Sequence, residues 1–292
     1  MKIQRIVVGV DFCDSSVNAA RWAALEFAPL AEIVLLHAVD LPLPPRPVRG
    51  ALAPVERVSE NAVMGAHARL AELGPWVDGT RVIGEVLVGS AADLLVGAAD
   101  THAADMVVVG EHGCGRGVWE FLGSTAERVV RRASVPVLVA RELPPGPPRR
   151  ILAAIDDSSG GRRALEWAAF LGRHLDARVV AFHALEPVMP PVELLGVMPI
   201  GEIQEDLRLE TERWLRQAAR EVASRGEIAE CRIAVGTPIH EILQVLDQER
   251  PDLVVIGSRG APAAVGGILG GVAHAVLRRA KRAVLVVGPL GR

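Results

Sequence analysis

The chain has 292 residues, half of them hydrophobic and 23% charged, with a formal net charge of −3 and a pI near 6.3. That balance predicts a folded protein of about two domains and excludes a largely disordered chain. A general binder of nucleic-acid backbones is excluded as well, because aromatic residues make up only 3%, Tyr is absent and the net charge is acidic.

The N-terminal segment reaches Asp11 too early for the apolar region of a signal peptide, and no apolar run approaches the ~20 residues of a membrane helix. A cytoplasmic location is expected. The segment Ile6 to Asp11 reads as a buried strand ending in a carboxylate, and Ala19, Ala20, Ala23, Ala24 and Phe27 then share one face of a helix over residues 15 to 28. Val34 to Ala38 and Val86 to Val88 are further strands. Val107-Val108-Val109 is the next, and it runs into Gly110, Gly113 and Gly123, spaced as Gly-x2-Gly-x9-Gly. Ser124 and Thr125 open a helix that continues to Arg132, and Val135 to Val139 forms a last strand.

The second half repeats this order at an offset of 145 to 147 residues. Ile151 to Asp156 answers Ile6 to Asp11, and Trp167 answers Trp22. Val180 to Ala184 answers Val34 to Ala38, with His183 in the place of His37. Val254-Val255-Ile256 precedes Gly257, Gly260 and Gly270, and Ala283 to Val287 closes the unit. Ile203, Leu207, Trp214, Ala218 and Val222 are expected to share a helix face. Residues 143 to 149, rich in Pro, form a stiff linker between domains at 1–142 and 150–292.

Apolar strands alternating with helices indicate βαβ units, a parallel sheet and ligand binding beyond the strands' carboxyl ends. A strand, then glycines, then a helix start is what a phosphate requires, because backbone without Cβ approaches closely and helix N–H groups donate. Glycines that only permit a turn, with Ser124 as a plain helix cap, are the competing reading; the repetition at identical spacing favours the ligand. Asp11 and Asp156 accept hydrogen bonds from a ribose or base, cap the next turn, or do both. The three cysteines, Cys13, Cys114 and Cys231, form no CxxC pair and are read as unpaired thiols, with no metal site. One His per repeat argues against a metal at His37 and His183.

With these motifs in view, the chain resembles a tandem universal stress protein of the ATP-binding branch. The likeness rests on Val8-Gly9-Val10-Asp11, Leu35-Leu36-His37-Ala38-Val39, the Gly110 to Ser124 loop and Val135 to Val139. It implies a Rossmann-like α/β fold with two five-stranded parallel sheets of order 3-2-1-4-5. It also implies ATP with Mg2+ held without a dedicated catalytic apparatus, and terminal strands that pair between units. By the family pattern, Gly9, Asp11, Ala38 and Val39 hold the nucleoside. Gly110, Glu111, His112, Gly113, Cys114, Gly115, Arg116, Gly123, Ser124 and Thr125 surround the phosphates. The second set is Ala154, Asp156, Ala184, Gly257, Ser258, Arg259, Gly260, Gly270, Gly271 and Val272.

Two departures stand out. Glu111 puts a carboxylate beside the phosphates, which costs affinity unless it points away or shares a cation. Gly271 replaces the hydroxyl expected after Gly270, and Arg259 either partly offsets that loss or is a plain surface residue. A stress-response regulator that binds ATP with little turnover is the favoured function, against a slow ATPase or an adenine nucleotide hydrolase, because no Walker lysine follows either loop. A nucleotide-free scaffold is the third reading. The loop from Leu41 to Pro47 is a candidate lid. The apolar loop from Pro187 to Ile200 predicts a homodimer contact, with regulatory protein partners beyond it.

Overall fold

The computed structural model describes residues 1–27, 31–40, 53–73, 81–114, 122–189, 191, 198–258 and 269–288, with side chains in the 53–73 stretch from Glu60 onward. The chain divides into two compact units, Lys2–Gly146 and Pro147–Arg292.

In the first unit β1 (Arg5–Gly9), α1 (Asp14–Phe27), β2 (Glu32–Val39), α2 (Ala53–Glu72) and β3 (Val82–Val88) precede α3 (Ala91–Thr101), β4 (Met106–Gly110), α4 (Ser124–Arg132) and β5 (Val137–Ala140). The strands lie in the order β3-β2-β1-β4-β5 and every pair is parallel. Parallel pairing needs a crossover helix, and right-handed crossovers put α1 and α2 on one face with α3 and α4 on the other. The central strands are therefore buried on both faces, and Ile6, Val7, Val8, Val107 and Val108 are inaccessible to solvent. Ala19, Ala20, Ala23, Ala24 and Phe27 are buried together along α1, as their spacing predicts.

The second unit repeats the plan with β6 (Arg150–Ala154), α5 (Ser159–Leu175), β7 (Arg178–Leu185), α6 (Ile200–Glu221), β8 (Glu230–Val235), α7 (Pro238–Glu249), β9 (Leu253–Gly257), α8 (Gly271–Arg279) and β10 (Ala283–Val287). Its order is β8-β7-β6-β9-β10, again parallel. The expected 3-2-1-4-5 sheets are both present. One face differs from expectation: Leu207 of α6 is 37% exposed, and Leu215 takes the buried place beside Ala218. No helix among the described residues is long and apolar enough to cross a membrane.

In each sheet the winding reverses between the first and fourth strands, which leaves a crevice at their carboxyl ends. In the first unit the residues flanking that crevice are Asp11, just after β1, and Gly110, the last residue of β4.

Candidate functional site

Asp11 is fixed by its own turn. Its N–H donates to Ser16 Oγ at 3.2 Å, Ser16 Oγ lies 2.6 Å from Asp11 Oδ1, and the Cys13 N–H donates to the same Oδ1 at 3.0 Å. Phe12 completes the turn in the left-handed region, at φ 64°, which a bulky residue tolerates only where its surroundings hold it. Here the Phe12 ring lies 4.5 Å from the His37 ring, and the Arg69 guanidinium sits 4.0 Å above it. His37 Nδ1 is 2.7 Å from the Val10 carbonyl, and His183 Nδ1 is 2.8 Å from that of Ile155. Both histidines thus tie the second strand of a unit to the end of the first.

The glycines of the β4–α4 connection have separate reasons. A Cβ on Gly110 would meet Ser15 Oγ and the Ser16 nitrogen at 3.1 and 3.2 Å, so this glycine lets the strand end touch the start of α1. A Cβ on Gly113 would stand 2.8 Å from Asp11 Oδ2, which brings the loop backbone onto the carboxylate. Gly123 donates its N–H to the Glu111 carbonyl at 2.9 Å and closes the loop at its base. That N–H is spent on the chain itself and is not open to a phosphate. Gly123 is also the cap of α4, so Ser124 is the first helical residue rather than the cap. The N–H groups of Ser124, Thr125 and Ala126 precede the first intrahelical bond, which runs from Glu127 to Gly123, and they form the positive end of the helix.

Glu111 does not confront this helix end with a free charge. Its Oε1 is 3.0 Å from Nε of Arg141, whose side chain is 2% exposed, and its Oε2 is 3.7 Å from His112 Nδ1. Burial pulls the Arg141 pKa below its usual value, and the Glu111 carboxylate works against that shift. Arg141, just beyond β5, was not foreseen from the sequence.

A cavity of about 500 Å³ opens at this switch point, a size typical of small-molecule sites. Its wall includes Gly9, Asp11, Ala38, Gly110, Glu111, His112, Gly113, Gly123, Ser124 and Thr125 from the expected set. Val39 is not on that wall; its carbonyl accepts the Gly89 N–H at 3.0 Å in the turn after β3. Ser16, Leu36, Ala91 and Leu95 do line it and were missed. The signal for Ala91 was present in Gly89-Ser90, where a glycine at φ 145° leads into the cap of α3. Gly115, Arg116, Arg259, Gly260, the candidate lid from Leu41 to Pro47 and most of the apolar stretch after Met189 lie outside the described residues.

The model of the universal stress protein family matches residues 2–141 and again 148–288. This chain belongs to the universal stress protein family. It is 27% identical over 301 residues to universal stress protein Rv2623 of Mycobacterium tuberculosis, covering 96% of this chain and 95% of that one. It is 30% identical over 302 residues to a universal stress protein of Mycolicibacterium smegmatis, covering 97% of each. The crystal structure of a universal stress protein from Archaeoglobus fulgidus shares the fold, with a TM-score of 0.67, 19% identity and 98% of both chains covered.

Within this universal stress protein, one expectation about the cysteines is corrected. Cys13 and Cys114 are joined as a disulfide, with their Cα atoms 5.5 Å apart. They are 101 residues apart in sequence, and only the parallel placement of β1 beside β4 brings the loops after these strands together. Cys231 alone is a free thiol. Asp11, Cys13 and Cys114 have donor atoms within 4.8 Å of one another, but sulfurs joined to each other are not thiolate ligands.

The second unit keeps the frame and changes the donors. Ala154 ends β6, Ala184 lies in β7, and Asp156 Oδ1 accepts from the Ser158 N–H at 3.2 Å while Ser158 Oγ accepts from the Gly161 N–H at 3.0 Å. Gly257 abuts Gly160 and Gly161 of α5, as Gly110 abuts Ser15 and Ser16. The Gly270 N–H donates to the Ser258 carbonyl at 2.8 Å, repeating the closure at Gly123. Gly271 and Val272 then begin α8, so the position of Ser124 carries no hydroxyl.

Proposed function

We propose that the first unit binds ATP at the cavity between Asp11 and the start of α4, and that occupancy rather than turnover is its function. The observation that carries this reading is the pairing of opposite chemistries across one cavity. Asp11, with Oδ1 held by its own turn and Oδ2 toward Gly113, suits the hydroxyls or N–H groups of a nucleoside. The N–H groups of Ser124, Thr125 and Ala126, which have no intrahelical acceptor, suit an anion. Val10, Leu36, Ala38 and Leu95 supply an apolar wall for a purine face. The ion pair with Arg141 turns Glu111 from a repulsive group into a neutralised one. Mg2+ would accompany the phosphates.

On this reading the second unit, with Gly271 in place of a hydroxyl, is the weaker site. The protein acts as a cytoplasmic regulator in the stress response, with domains at 1–142 and 150–292, and dimerises through the loop after β7. Native mass spectrometry of freshly purified protein tests the core of this. Co-purified ATP at one per chain, confirmed by calorimetry, is expected. Neither bound ATP nor a titration heat would sink the reading, and multiple-turnover phosphate release would make the protein an ATPase. Light scattering that gives a monomer of 31.0 kDa would remove the dimer.

A further inference from the structure

The disulfide between Cys13 and Cys114 is unused by ATP binding as such, yet it spans the two loops that build the site. We propose that Cys13 and Cys114 form a reversible oxidation site for hydroperoxides, and that the closed disulfide holds the glycine loop on Asp11 in the form that binds nucleotide. The second half of this inference rests on the ATP reading; the first half does not.

Both ends of the bond lie beside the same aspartate, and Cys13 is hydrogen-bonded to it. The Cys13 N–H donates to Asp11 Oδ1 at 3.0 Å, and the Cys13 carbonyl accepts the Val17 N–H at 2.9 Å, so its backbone is fixed from both sides. Cys114 follows Gly113, the residue that lies on Asp11 Oδ2, and its sulfur is 3.6 Å from the Asp11 carbonyl. A Cα separation of 5.5 Å suits a disulfide without backbone movement. The two residues also differ in exposure: Cys114 is exposed and Cys13 half-buried. An exposed disulfide belongs to the readily exchanged class rather than the purely structural one.

The chemistry balances with a hydroperoxide as oxidant. The Cys114 thiolate attacks the distal peroxide oxygen; the S–O bond of a sulfenic acid forms, the O–O bond breaks, and the departing alkoxide, or hydroxide from hydrogen peroxide, takes a proton from the medium to leave as alcohol or water. The Cys13 thiolate then attacks the Cys114 sulfur; the S–S bond forms, the S–O bond breaks, and the hydroxyl leaves as water with a proton from the medium. A dithiol reductant reverses the change through a mixed disulfide, taking up the bond as its own. Cys231 stands apart on β8, where burial pushes its thiol up.

Closure matters to the site because Gly113 and Cys114 are adjacent. With the bond formed, the loop backbone is held on Asp11 and the 500 Å³ cavity is open beside it. Loss of the bond releases Cys114 from Cys13, and re-ordering even one residue on ligand binding corresponds to about a tenfold loss of affinity.

The test uses the full chain treated with hydrogen peroxide or with dithiothreitol, followed by peptide mapping and ATP calorimetry on each form. We expect a peptide linked through Cys13 and Cys114 that appears with peroxide and disappears with dithiothreitol, in the natural chain and in Cys231→Ser alike. The oxidised form should bind ATP about tenfold more tightly. Cys114→Ser, a change at an exposed position, should bind like the reduced form and not respond to peroxide. Failure of the link to form would overturn the oxidation site, and equal, measurable ATP affinity in both forms would overturn its control of nucleotide binding. A link that forms and reverses in a protein giving no ATP heat in either state would uphold the oxidation site and overturn the ATP reading instead.

Discussion

Gly113 lies directly against Asp11: a methyl group at position 113 would stand 2.8 Å from Asp11 Oδ2. The carboxylate cannot simply swing aside, because Oδ1 is engaged by Ser16 and by the Cys13 N–H. Gly113→Ala therefore either breaks those bonds or lifts the loop, and both outcomes disturb the wall facing the ligand. We expect ATP affinity to fall by tenfold or more, while stability falls by only ~1 kcal/mol, the scale of one net hydrogen bond. Calorimetry and thermal unfolding on the same sample separate the two effects.

Ser124 and Gly271 occupy equivalent first positions of α4 and α8. A hydrogen bond from a hydroxyl to a charged phosphate contributes ~1.5 to 3 kcal/mol, so Ser124→Ala should weaken the first site roughly ten- to a hundredfold. The reverse change has room, since a Cβ on Gly271 would meet nothing within 4 Å among the described residues. Gly271→Ser should raise occupancy of the second unit, read by native mass spectrometry as a shift from one ATP per chain toward two. Asp11→Ala should likewise reduce total binding more than Asp156→Ala; the opposite order would reverse the ranking of the two units.

Glu111→Gln should move stability and binding in opposite directions. The substitution takes the Glu111 carboxylate away from the buried Arg141 guanidinium. Breaking a buried pair costs ~3 to 5 kcal/mol, and the partial exposure of Glu111 brings the expected loss to about 1 to 3 kcal/mol. Removing a negative charge beside the phosphates should at the same time strengthen ATP binding. A lower melting temperature with a lower dissociation constant is the expected pair of results; weaker ATP binding would mean that Glu111 supports the ligand.

The repeat, the strands and their order were legible because β-branched runs and glycine punctuation are local signals, and the parallel sheet follows from the alternation of strand and helix. The glycine motif marked the site but blurred its parts. Gly110 serves contact with α1, Gly123 closes the loop, Gly113 lies beside the Asp11 carboxylate, and the residues after Gly123 begin α4 at the cavity wall. The pairs Cys13 with Cys114 and Glu111 with Arg141 were not legible. Each joins positions with no shared local pattern, and the partners meet only because β4 lies between β1 and β5. Leu207 went astray for a simpler reason: α6 is long and thinly covered, so while Ala218 and Val222 are buried as expected, Leu215 takes the buried place that its periodicity also allowed to Leu207.

Cys231 should be the last cysteine to react. Burial raises its thiol above the ordinary range, with Glu212 and Glu230 adding to the rise and Arg216 opposing it. In reduced, folded protein near pH 8, alkylation should therefore mark the exposed Cys114 well before Cys231, and raising the pH should narrow the gap. The same shift bears on stability. A thiol whose folded pKa is raised favours the folded state while it stays protonated, so this contribution is fully present below the unfolded value of ~8.5 and is lost as pH rises through the folded value. Cys231→Ala should flatten the alkaline decline in thermal stability of reduced protein. An unchanged slope above pH 9 would show that ionisation of Cys231 has no part in it.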